Sequence, residues 1–244
     1  MPSIRFVSHC YSKELPQYAV FLRAQLSSLL LYPSKLDVYV TICCAKDDPA
    51  THAVLDEFKP KFDKRLFRFI MPQERLFRRT IGRNAEALSC DTDLIWYTDV
   101  DHLFRQGCID SLWQEWRKLD EPKPTIVWPH FAQRHINQEI GDKYWKQHVN
   151  STGLIDVDEL EFETYRYRKP LGGTHISPKW FAHKYGYLNG DEWFKWMQVQ
   201  EKAFVCFRED QKYRRFCETI AGGSKWLDIV GMFRLRHTAL THPN

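Results

Sequence analysis

The stretch Leu94-Ile95-Trp96-Tyr97-Thr98-Asp99-Val100-Asp101 decides the fold. Five apolar or β-branched residues in a row, without helical period, read as a strand buried on both faces. Two acidic residues close it abruptly. In extended chain, residues two apart point the same way, so Asp99 and Asp101 are expected to face one pocket. Paired carboxylates repel, and a cation favours their joint ionisation. Oxygen-rich ligation suits Mn²⁺ or Mg²⁺, which can hold a diphosphate and neutralise its charge as it leaves. The simpler alternative is a polar turn after a strand.

Upstream, the pattern alternates. Ile4 to Ser8, Asp37 to Ala45 and Leu66 to Met71 read as short buried strands. Between them lie helical periods at Lys13 to Leu31, which Pro33 ends, at about Ala50 to Phe58, and at Arg79 to Ser89. Strands alternating with helices at this spacing predict an α/β class with a mostly parallel sheet covered on both sides. Ligands of such sheets sit at the carboxyl ends of the strands, where Ser8 to Ser12, Lys46 to Asp48 and Asp99 to Asp101 converge.

Downstream the periodicity weakens. Ile109 to Leu119 reads as a helix and Thr125 to Trp128 as a strand, while Pro129 to Tyr167 mixes aromatic and charged residues. Leu171 to Ser177 is a glycine-marked turn entering a strand. Gln211 to Ile220 reads as a helix, and Gly222-Gly223 breaks the chain before Trp226 to Val230. Neither repeat nor linker divides the sequence, so one continuous domain is expected.

Composition narrows the function classes. With 244 residues, 43% hydrophobic and 27% charged, the chain is of ordinary globular type. A net charge of +4 suits a phosphorylated small molecule and is too mild to indicate nucleic acid. The N-terminus reads as a strand and not as a leader, and no apolar run reaches the ~20 residues of a membrane span. Seven scattered cysteines without a C-x-x-C pair predict reduced core thiols. A cytoplasmic location is therefore the expectation, and Asn150-Ser151-Thr152 is taken as a chance sequon.

The run Arg83-Asn84-Ala85, about ten residues, then Leu94 to Asp101 and Phe104 resembles the central signature of GT-A-fold glycosyltransferases, especially the inverting family-2 group. The likeness covers the first ~110 residues well and is patchier afterwards. It implies a Rossmann-like, mostly parallel sheet flanked by helices in a single domain. By the same resemblance, residues 1–104 are expected to form the half that binds a nucleoside diphosphate sugar, UDP-linked by default. Residues 105–244 are expected to form the acceptor-binding and catalytic half. In this likeness Asp99 lies near ribose and metal, Asp101 ligates the metal, and Arg83 approaches the nucleotide or its phosphates. Ser8, Tyr11 and Asp47 frame base and ribose, although Cys43-Cys44-Ala45-Lys46 departs from the acidic residue that often ends the second strand there.

Three later features join this set. Gly172-Gly173-Thr174-His175 resembles the glycine pair beside the donor sugar, with Gly186-Tyr187-Leu188-Asn189 as the turn after it. Glu209-Asp210 resembles the acidic pair whose aspartate takes the acceptor proton, so Asp210 is the expected base and Glu209 its companion. Asp191-Glu192 is the competing pair. His237 resembles a late histidine that serves as third metal ligand, with His242 the weaker choice. Trp180, Trp193 and Trp196 fall where an acceptor carbohydrate would stack.

Two other activities share parts of this pattern. Aspartate-nucleophile phosphatases also carry D-x-D after a strand, but after the first one and before a small pair, where His102-Leu103 stands here. An inactive carbohydrate-binding protein on the same fold would not need Glu209-Asp210. A retaining transferase remains the alternative to an inverting one.

Overall fold

The computed structural model describes residues 1–135, 150–157, 162–170, 173–187 and 209–235. His237, His242, Asp191-Glu192, Leu188-Asn189, Gly172, Trp193 and Trp196 lie outside these residues.

The expected alternation is present. β1 (Ser3–His9), α1 (Gln17–Leu31), β2 (Asp37–Ala45), α2 (Pro49–Phe58), a 3-10 turn (Lys59–Phe62), β3 (Leu66–Met71), α3 (Gln73–Leu76), α4 (Arg79–Ser89) and β4 (Leu94–Thr98) follow in order. Then come β5 (His102–Phe104), α5 (Cys108–Arg117), β6 (Ile126–Pro129), β7 (Phe131–His135), β8 (Phe162–Arg166), β9 (Thr174–Pro178), α6 (Lys179–Tyr185), α7 (Glu209–Thr219), β10 (Ser224–Leu227) and β11 (Met232–Arg234).

Seven of these strands form one sheet in the order β10-β6-β9-β4-β1-β2-β3, in which β9 alone is antiparallel. The side-chain period of two then fixes two cores. Ile4, Phe6, Val40, Ile42, Leu94 and Trp96 face one side, under α1, α2 and α5. Val7, Cys43, Ile95 and Tyr97 face the other, under α4, α6 and α7. Trp96 is wholly buried, and its indole N–H donates to Thr174 Oγ1 at 2.8 Å, so no polar atom of it is stranded. Helix α4 lies close on β1 and β2 because Gly82 has no side chain. A Cβ there would fall 2.5 Å from Cys43 Sγ and 2.7 Å from His9 Nε2.

A second sheet, β5-β11-β7-β8, was not expected from the sequence. Its middle strand β11 pairs antiparallel with β5 and parallel with β7. Leu103, Phe104, Met232 and Phe233 sink into the first core, which fixes the chain just beyond Asp101. Among the described residues, no helix is long and apolar enough to cross a membrane. All six described cysteines are buried and free.

The loop after β2 divides into two acidic roles. Asp47 is exposed and pairs with Lys13. Asp48 is wholly buried and caps α2, accepting from Thr51 N–H at 3.1 Å, Thr51 Oγ1 at 2.8 Å, Ser12 Oγ at 2.5 Å and Lys13 N–H at 3.3 Å. Asp48→Ala strands these buried donors and is expected to cost about 2 kcal/mol in urea unfolding. A loss below about 0.5 kcal/mol would show the cap to be idle.

Candidate active site

Asp99 to His102 is a tight turn, not the extended segment expected: His102 N–H donates to Asp99 O at 3.2 Å. The reason lies in Val100, whose side chain is buried in the first core and pulls the chain inward between the two acids. Helix α1 holds the turn from below. Gln25 Nε2 donates to Asp99 O and to His102 O at 3.0 Å each, and its Oε1 accepts from Ser8 Oγ at 3.0 Å. Ser8 is thus wholly buried and supports the turn through Gln25.

The two carboxylates of the turn meet different partners. Asp101 is buried. The end of β11 and the residue after it grip it twice, with Arg234 Nε on Oδ2 at 3.2 Å and Leu235 N–H on its carbonyl at 2.8 Å. Burial works against the Arg234 charge, but the Asp101 carboxylate together with Tyr167 and Tyr165 outweighs it and holds that guanidinium above its ordinary range. The Asp99 side chain is about one-third open, at 35%. Its Oδ1 accepts from Arg79 Nη1 at 2.7 Å and from Arg83 Nη2 at 3.4 Å.

Arg79 is the residue that sequence reading passed over. It stands one helical turn before Arg83 on the same face of α4, and i, i+4 spacing was the signal that could have found it. The N-terminal turn of α4 begins at the carboxyl ends of the strands, so Arg79 reaches the open side. Arg83, four residues deeper, is completely buried. Its Nη1 donates to Tyr187 OH at 2.9 Å and to Asp210 Oδ1 at 2.7 Å.

Asp210 enters this group from α7, more than a hundred residues further along. Its Oδ2 accepts from Arg79 Nη2 at 2.7 Å, so one guanidinium bridges Asp99 and Asp210. Burial pushes the Asp210 carboxyl up, but the Arg79 and Arg83 charges outweigh it and hold it below the usual carboxylate range. Glu209 points elsewhere. Its Oε2 accepts from Thr80 N–H at 3.2 Å and its Oε1 lies 3.9 Å from Arg78, so it ties α7 to the start of α4.

Around these ion pairs lies a buried polar wall. Tyr11 stacks on Phe77 with ring centres 5.4 Å apart. Burial, reinforced by Arg83 and Arg79, lowers both His9 and His175 well below the ordinary histidine value, so both rings are neutral. Gly173 closes the far side of the turn. Its carbonyl accepts from Asp99 N–H at 2.8 Å, and a Cβ on it would fall 2.6 Å from Asp99 Oδ2. Among the expected residues, the structure therefore brings together Asp99, Asp101, Arg83, Gly173 and Asp210. Tyr11 lines the wall, and Asp47 stands outside, facing solvent.

Among the described residues, no group of three or more His, Cys, Asp or Glu is placed to hold a metal. Asp99 and Asp101 fit a hard divalent cation by their donor chemistry and provide part of a coordination shell.

No family model matches the chain, and no curated protein matches it. Solved structures do. TarS of S. aureus is 11% identical over 96% of this chain and 36% of its own, with a TM-score of 0.63. Its fragment 1–349 in complex with UDP is 12% identical over 96% of this chain and 60% of its own, at 0.58. The galactosyltransferase LgtC, solved with donor and acceptor sugar analogues, is 14% identical over 92% of this chain and 72% of its own, at 0.48. The chain spans little more than a third of TarS, and three-fifths of that fragment. The TarS superpositions establish a GT-A-type fold, as expected from the Arg83-Asn84-Ala85 and Asp99-Val100-Asp101 segments.

Proposed function

We propose that this chain is a metal-dependent glycosyltransferase that moves a sugar from a nucleoside diphosphate sugar, UDP-linked, to an acceptor hydroxyl with inversion. The observation that carries the reading is the Arg79 bridge, 2.7 Å to Asp99 and 2.7 Å to Asp210. It sets a donor-side carboxylate and a prospective base one guanidinium apart, at the carboxyl ends of a parallel sheet, where such folds take ligands. Residues 1–104 supply the donor side and residues 105–244 the base. The UDP bound to the TarS fragment supports the choice of nucleotide.

The chemistry follows from the charges. The acceptor oxygen attacks the anomeric carbon, the bond from that carbon to the β-phosphate oxygen breaks, and the departing oxygen keeps the electron pair. The acceptor proton passes to Asp210. A carboxylate held below its usual range is a weak base, yet an alcohol becomes strongly acidic as its oxygen bonds to carbon, so the transfer is favourable late in the step. Arg79 presents positive charge where the diphosphate lies, and carries little reorganisation cost because Asp99 and Asp210 already orient it. Asp99 and Asp101, with His237 as the proposed third protein ligand, would hold a divalent cation, which would supply neutralisation of the leaving diphosphate.

Incubation with UDP-glucose, UDP-galactose, UDP-N-acetylglucosamine and GDP-mannose in Mn²⁺ is expected to release nucleoside diphosphate from one of the UDP donors. Chelation by EDTA stops the release, Mn²⁺ or Mg²⁺ restores it, and Asp101→Ala abolishes it. Release that persists in EDTA and in Asp101→Ala rules out the metal-diphosphate site. The anomeric configuration of the product, read by NMR, decides inversion.

A further inference from the structure

We propose that Tyr187 is a positioning residue that aims the Asp210 carboxylate, so that Oδ2 is the oxygen that receives the acceptor proton. The inference rests on Asp210 being the base. Asp210 Oδ1 is occupied from the interior by two donors, Tyr187 OH at 2.9 Å and Arg83 Nη1 at 2.7 Å. Both donors are wholly buried, and they also bond each other at 2.9 Å, which closes a triangle around that oxygen. Oδ2 bonds to Arg79, the partly open member of the group. The carboxylate therefore has an inner and an outer oxygen, and the outer one faces the side from which substrate arrives.

Tyr187 is itself fixed more firmly than a surface tyrosine. Its ring stacks on Tyr213 at 3.9 Å and meets the edge of Tyr97 at 4.9 Å. Its backbone N–H donates to Asn84 Oδ1 at 2.8 Å. Gly186 before it adopts φ 61° and ψ −163°, a region that only glycine occupies readily, and this turns the chain back from α6 toward α4. The Arg83-Asn84 segment and the Gly186-Tyr187 segment thus serve one purpose: Arg83 holds the tyrosine hydroxyl and Asn84 its backbone. The charged and titratable groups facing Asp210 are Arg79 and Arg83 from α4, His9 from β1, His175 from β9, and Tyr187 after α6.

Tyr187→Phe keeps the ring and deletes the one hydroxyl. Tyr213→Phe is the matched control, because that hydroxyl pairs with Ser177 at 3.0 Å and does not touch Asp210. With the UDP-sugar found by the donor panel, Tyr187→Phe is expected to lower kcat by about tenfold to hundredfold with donor KM within about twofold. The acid limb of its kcat profile moves to higher pH, because losing a hydrogen bond to a carboxylate raises its pKa. Tyr213→Phe leaves both unchanged. A Tyr187→Phe enzyme with wild-type kcat and pH profile overturns the proposal, as does an equal loss in both variants, which would mark a packing role. Full activity in Asp210→Asn would instead remove the base assignment itself, whatever Tyr187→Phe does.

Discussion

Asp210→Asn is expected to lower kcat by about 10³-fold while donor KM stays near the wild-type value. The amide keeps the shape of the carboxylate but cannot accept the proton, so the loss falls on the chemical step and not on ground-state binding. A second consequence concerns stability. Arg83 is completely buried, and Asp210 provides its shortest carboxylate contact, 2.7 Å against 3.4 Å to Asp99. Removing that charge leaves two guanidinium groups sharing Asp99, at a cost of about 3 kcal/mol.

The pH dependence separates this effect from ordinary packing loss. In the folded protein the Asp210 carboxyl is held below its ordinary value, despite burial, by Arg79 and then Arg83. A group whose folded pKa is depressed contributes stability above its unfolded pKa, near 4, and loses it as pH falls through the folded value. Thermal unfolding of the wild type is therefore expected to weaken below about pH 4 more steeply than that of Asp210→Asn, the curves converging in acid. Parallel curves from pH 3 to 7 would show that Asp210 does not supply this linkage.

How far the sequence could carry these conclusions depended on range. Leu94 to Thr98, Leu66 to Met71 and Arg79 to Ser89 were legible to the residue, because an apolar run or an amphipathic period is a local signal. The second sheet was not. β5 and β11 have three residues each, β7 and β8 carry Arg134, Glu163 and Arg166, and β11 finds its partners at β5 and β7, about a hundred residues away or more. Short strands with charged faces leave no periodic trace, so the origin of Arg234 beside Asp101 could not be foreseen.

The site divides the same way. Asp99, Asp101 and Asp210 were readable because carboxylates sit at strand and helix ends in a recognisable order. Their partners were not, since burial decides them. Arg79 and Arg83 look alike in sequence, yet a single helical turn puts one at the opening and the other inside the core. Asp47 and Asp48 are likewise adjacent, and only folding shows that Asp48 is the cap and Asp47 the solvent-facing one. Even the spacing argument for Asp99 and Asp101 needed correction, because buried Val100 converts an extended segment into a turn.

Gly173→Ala tests that turn with one methyl group. The new Cβ would lie 2.6 Å from Asp99 Oδ2 and 3.3 Å from its Cγ, inside contact distance for both. The backbone has little room to retreat: Gly173 O accepts Asp99 N–H, and the next residue enters the ladder with Thr174 opposite Thr98. The carboxylate, at 35% exposure, is the softer element and must swing outward. That movement breaks the 2.7 Å bond to Arg79 and separates Asp99 from Asp101. Stability should fall by no more than about 1 kcal/mol, since no buried apolar group is lost. Binding of UDP with Mn²⁺, followed by calorimetry, is expected to weaken at least tenfold, about 1.4 kcal/mol. Equal affinity in Gly173→Ala and wild type would mean that Asp99 does not touch the donor in the orientation held by Arg79. A large drop in Tm with intact affinity would place the methyl's cost in the sheet instead.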